Sequence, residues 1–88
     1  MRIATIKQLI HAQKWADARR ELDNYSGPDA ELLNLSGVFH EFQRNFDAAE
    51  RCYRAAFKQD PSLGAAEFNL RRCYELWTFG RSDIPICL

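Results

Sequence analysis

Apolar residues recur at intervals of three and four along most of the chain, the spacing of one face of a helix. Ile3, Ile6, Leu9 and Ile10 set the pattern over residues 3–13, and Trp15, Ala18, Leu22 and Tyr25 continue it over 15–25. Ser26-Gly27-Pro28 then interrupts it. Gly27 suits a left-handed helix end and Pro28 a first helical turn. A third helix is predicted over 29–43 from Leu32, Leu33, Leu35, Phe39 and Phe42, with Asp29 and Glu31 near its positive end. Arg44-Asn45 reads as a short turn with Asn45 as N-cap. A fourth helix over 46–58 carries Phe46, Ala49, Tyr53, Ala56 and Phe57. Asp60-Pro61-Ser62 stops it, and Ser62 is placed to cap a fifth over 63–77, with Leu63, Ala66, Leu70, Tyr74 and Trp77. The last stretch, 78–88, contains Gly80 and Pro85 and shows no helical period. Strand-like alternation never extends beyond a few residues. The expectation is an all-α chain of five helices joined by short turns, as helical hairpins.

The pattern also repeats. A shift of 31 lays Trp15 on Phe46, Ala18 on Ala49, Leu22 on Tyr53 and Tyr25 on Ala56. A shift of 34 lays Ser36 on Leu70, Gly37 on Arg71 and His40 on Tyr74. Recurrence of helix pairs at this period marks an α-solenoid, in which each hairpin buries its apolar face against the next. The small residues Gly37, Ala49 and Ala56 allow close helix approach, and Phe39, Phe46 and Tyr53 fill the remaining gaps. A larger residue at Ala49 is expected to overpack at a cost of ~1–3 kcal/mol.

Leu33, Ser36, Gly37, His40, Ala49, Tyr53, Ala56 and Pro61 together resemble the tetratricopeptide repeat, over residues 30–63. Leu33, Ser36 and His40 depart from the family's Trp, Leu and Tyr. Residues 3–29 look like a shortened repeat and 64–77 like a capping helix. The resemblance implies a right-handed superhelical stack of antiparallel hairpins over 1–77, followed by a non-helical tail, 78–88. It also implies a concave groove, lined by the first helix of each pair, that holds a partner segment. Repeat register puts Ile3, Lys7, Ile10, Asn34, Val38, Glu41, Phe68, Arg72 and Glu75 on that groove. Asn34 would hydrogen-bond a ligand backbone, Lys7 and Arg72 would meet a carboxylate, and Ile10, Val38 and Phe68 would form an apolar floor. The family's clamp for a terminal carboxylate is not matched, because Ile3 stands where it has Lys and Lys7 where it has Asn.

Composition narrows the function. The 88 residues suffice for one small domain, and the 47% apolar content is too high for disorder. Twelve basic and twelve acidic residues are interspersed, so there is no basic stripe for nucleic acid. No apolar run is long enough for a membrane span, and the start has no signal-peptide core. Met1-Arg2-Ile3 is read either as a natural start or as a cut from a longer chain. Three cysteines, Cys52, Cys73 and Cys87, lack paired spacing and fit a reducing compartment such as the cytoplasm. With His11 and His40 they form no metal-ligand spacing, no base and orienter stand beside them, and the glycines form no phosphate loop. His40 is read as a half-buried packing residue.

The sequence therefore points to a non-catalytic module, without cofactor, that binds a protein or peptide segment as adaptor, scaffold or assembly factor. The alternative is a self-association module that forms a homodimer through the tail and the exposed terminal helix. Trp77, Phe79, Ile84, Ile86 and Leu88 give the tail region an apolar character, with three readings. It folds back over the open end of the solenoid and covers the last helix, docks into a second copy's groove to make a dimer, or begins a fourth element lost by truncation.

Overall fold

The computed structural model describes residues 2–24 and 29–88. Five helices and no strand occur among them: α1 (Arg2–His11), α2 (Trp15–Asp23), α3 (Ala30–Phe42), α4 (Phe46–Gln59) and α5 (Gly64–Phe79). The break expected at Ser26-Gly27-Pro28, and the place of Tyr25, lie outside the described residues. Helix α5 runs two residues further than the periodicity predicts. It ends where Gly80 adopts φ 76°, a left-handed conformation that glycine reaches without steric cost, and its N–H bonds the Leu76 carbonyl at 3.0 Å.

The two turns at residues 12–14 and 43–45 are copies of one another at the shift of 31. The Gln13 N–H donates to Ile10 and the Lys14 N–H to Leu9, at 3.0 and 2.9 Å. The Arg44 N–H donates to Glu41 and the Asn45 N–H to His40, at the same two distances. Both are Schellman turns, with Gln13 (φ 58°) and Arg44 (φ 65°) in the left-handed position usually given to glycine. Lys14 and Asn45 then begin the next helix, where their carbonyls accept from Ala18 and Ala49. Asn45 adds a long side-chain bond to the Ala48 N–H, and Asp29 caps α3 through the Leu32 N–H at 3.1 Å. Ser62 does not cap α5. It turns back to the Asp60 carboxylate with both N–H and hydroxyl, so Leu63 opens the helix without a side-chain cap.

Helix α3 touches α1, α2, α4 and α5, and so holds the centre of the molecule. The core gathers Ile6 and Ile10 from α1, Ala18 from α2, Leu35, Val38 and Phe39 from α3, and Ala49 and Tyr53 from α4. Trp15 closes one end, 4.9 Å from the Phe42 ring and edge-on to Phe39. Helix α3 packs closely on α4 at Gly37, where a Cβ would lie 2.5 Å from Tyr53 Cδ1. Gly37 thus makes room for the largest fully buried side chain among the described residues. The small residues singled out for close approach, Ala49 and Ala56, are likewise fully buried.

Candidate functional site

The centre of interest is a buried polar cluster between α3 and α5. Asn34 and Glu41 lie on α3, Asn69 and Arg72 on α5, and all four are at most 7% exposed. Buried polar groups of this kind need partners. Glu41 and Arg72 form a bidentate ion pair, with Arg72 Nε donating to Glu41 Oε2 at 3.0 Å and Nη2 to Oε1. The Tyr53 hydroxyl donates to Glu41 Oε1 at 2.7 Å. Burial pushes the Tyr53 hydroxyl pKa up, and the Glu41 charge and hydrogen bond push it further. Burial pulls the Arg72 pKa down, but its hydrogen bonds and attraction to Glu41 more than offset this, so it is held above its ordinary value.

The remaining polar capacity goes to the tail. Asn69 Nδ2 donates to the Cys87 carbonyl at 2.7 Å and to Asn34 Oδ1 at 2.8 Å. Asn69 Oδ1 accepts from the Cys87 N–H and from Arg72 Nη1, both at 2.8 Å. A primary amide offers two donors and two acceptor lone pairs, so Asn69 is fully satisfied. Asn34 Nδ2 adds a second bond to the Cys87 carbonyl, at 3.1 Å. Arg72 Nη1 also donates to the Pro85 carbonyl at 2.7 Å. Upstream, Ser82 Oγ donates to Glu75 at 2.6 Å and accepts from the Ile84 N–H. Every bond from Asn34, Asn69 and Arg72 to the tail reaches backbone, and none reaches a tail side chain.

The tail's side chains alternate from Arg81 to Ile86: Ser82, Ile84 and Ile86 are partly buried, while Arg81, Asp83 and Pro85 are exposed; Cys87 and Leu88 are both partly buried. Ile86 and Leu88 pack on the core and border a small hollow with Ile10, His11, Gln13 and Phe42. The tail therefore folds back onto the last helix, α5. It crosses α5 and α3 toward α1, because the unmatched amides and guanidinium lie on that side. Near the end of α5, Trp77 and Phe79 stay bare, 83% and 72% exposed.

The residues predicted to line a groove divide accordingly. Asn34, Arg72 and Glu75 hold the tail, and Glu41 anchors Arg72. Ile10 and Val38 are core residues rather than an open floor, and Ile3 packs partly buried against that core. Neither expected carboxylate-binding cation is free: Arg72 is spent on Glu41, and Lys7 lies 3.8 Å from Glu31. Phe68 is turned outward beneath Arg71, whose guanidinium sits 5.8 Å from the ring. Asn69 was missed because the shift of 34 puts Phe68, not Asn69, opposite Asn34. The spacing of 35 between the two asparagines was the available signal. Tyr53 was read as a filler, and its hydroxyl's role was not visible in the helical pattern.

A second concavity of about 670 Å³ lies between α4 and α5, lined by Phe46, Asp47, Glu50, Arg51, Cys73, Leu76 and Trp77. Burial pushes the Cys73 thiol up to about 11, and burial also raises Cys52. Both are poorer nucleophiles for it. His40 rests edge-on against Phe39, its pKa lowered by burial and by Arg19 and Arg51, in keeping with a packing role. The cysteines are free. No helix among the described residues is long and apolar enough to cross a membrane. Searches of protein-family models, curated proteins and solved structures found no match to this chain.

Proposed function

We propose that this chain is a non-catalytic peptide-binding module of the tetratricopeptide kind, a short right-handed stack of helical hairpins whose inner face receives an extended segment. The observation that carries this reading is the backbone grip of Asn34, Asn69 and Arg72 on residues 85–87. A site that binds main chain with buried amides is suited to an extended peptide, since such a peptide brings unpaired N–H and C=O groups. The duplicated Schellman turns at a shift of 31 support the repeat architecture. The raised thiol pKa values of Cys52 and Cys73 favour interaction over thiol chemistry, and the reading requires no cofactor. Self-association through the tail is less well supported, because the tail's polar groups are already matched within one chain.

The test is nuclear magnetic resonance of the labelled chain during titration with peptides selected from a random extended library. The expected result is movement of the Asn34 and Asn69 side-chain amide signals. Selected peptides that move only the Trp77 indole would transfer the function to the α4–α5 concavity.

A further inference from the structure

The tail shows what the groove would select. We infer that its partner is an extended segment with aliphatic side chains at alternate positions, and that residues 82–88 are a built-in occupant such a partner must displace. The inference rests on the peptide-binding reading above.

The groove meets the segment in two ways. Backbone is read at alternate residues: the Pro85 carbonyl by Arg72, and the Cys87 N–H and carbonyl by Asn69. In an extended chain these groups project to one side, two residues apart. Side chains are read at the intervening residues, and Ile86 and Leu88 bury against the core. Selectivity therefore lies at the even positions, and the odd ones contribute main chain. The tail fits this division. Proline at 85 lacks an N–H, but only its carbonyl is used, and it biases Ile84 toward an extended conformation. Cys87 is held through its backbone, and its thiol donates to the tail's own Pro85 carbonyl at 3.4 Å.

Displacement is built in for the same reason. The tail is tethered through Gly80, so it competes as an intramolecular ligand at high effective concentration. A partner sees only the fraction of molecules with the groove vacant, and its apparent affinity falls by that fraction. Without an occupant, Asn69 loses a donor and an acceptor partner and Arg72 and Asn34 an acceptor partner each, so the vacant groove favours refilling by equivalent groups.

The probe is a fluorescent, acetylated peptide of residues 82–88 carrying Cys87→Ser against oxidation. It is titrated into the full chain and into the full chain with Ile86→Asp and Leu88→Asp, whose helicity is checked by circular dichroism. The expected result is binding to the variant roughly tenfold or more tighter than to the parent chain, since the competitor has been weakened. A peptide with Asp at both aliphatic positions should not bind. Equal affinity for the two chains would overturn the built-in occupant. If the Asp peptide binds as well as its parent, and Asn69→Ala in the variant abolishes both, the peptide groove stands and the aliphatic rule falls. If no peptide binds the folded variant, both readings fall. A parent chain that dimerises with concentration while the variant stays monomeric would make the occupant a second copy's tail. Should the variant not fold, hydrogen exchange at the Cys87 amide of the parent chain decides: excess peptide should speed it, and no change overturns the inference.

Discussion

Helix α5 buries polar side chains and exposes aromatic ones. Asn69 and Arg72 are buried beside Ala66, while Phe68 and Phe79 on one flank of that side and Trp77 on the other stand in solvent. The buried groups are directional and costly to leave unmatched, so they bring the tail across the helix. The exposed aromatics are only apolar: Phe68 meets Arg71, and Trp77 borders the open α4–α5 concavity. Two aromatics 31 residues apart show the same contrast. Trp15 packs on Phe39 and Phe42, whereas Phe46 is exposed and borders the open α4–α5 concavity.

The comparison breaks most sharply at the ion pair. Glu41→Ala leaves Arg72 buried without its counter-charge and should destabilise the fold by ~3–5 kcal/mol, measured by urea denaturation. Replacing Glu41 and Arg72 together by leucine should recover much of that loss, because no buried charge remains. Recovery would separate the stability of the cluster from its grip on the tail, which the double variant should still lose.

Gly37→Ala acts one layer deeper. The added methyl meets the Tyr53 ring, and the overpacking should cost ~1–3 kcal/mol in the same assay. It should also shift Tyr53 under Glu41, which links the α3–α4 contact to the buried cluster. Combining it with Tyr53→Leu should make the two effects non-additive, since the residues touch.

A smaller effect distinguishes the α4–α5 side. The Cys73 thiol titrates near 11 in the folded chain, against an ordinary value of 9.0. Below pH 9 both states keep the proton. Between pH 9 and 11 the unfolded chain releases it first, so stability falls as pH rises through that window. Thermal melts over this range should show the loss, and Cys73→Ala should flatten it.

Trp77→Ser should produce the smallest change, within ~0.5 kcal/mol, as expected for a surface substitution away from special features. Peptide binding should also be unchanged. A large loss of stability would mean that Trp77 is covered in solution, and the contrast within α5 would no longer hold.

Much of the architecture was legible because helical periodicity is local. The five helices and the short turns follow from spacing alone. The packing of Gly37 against Tyr53 was also foreseen in kind, since small residues on facing helices mark close approach. Asn34, Arg72 and Glu75 all bond the tail, whereas Phe68 is exposed and Asn69 buried, the reverse of what a hydrophobic pattern assigns to an aromatic and an asparagine. Ile84, Ile86 and Leu88 alternate, but three positions beside a proline are too short a run to stand as a strand signal.

The sequence by itself determined the helices, because hydrophobic spacing and backbone preference act within a few residues. Tertiary structure decided where the tail lies and which polar groups are buried. Asn34 and Asn69 are 35 residues apart, and Cys87 is 18 beyond Asn69. Their shared hydrogen bonds exist only once α3 and α5 pack side by side, and no local pattern encodes a partner that the fold must first bring near.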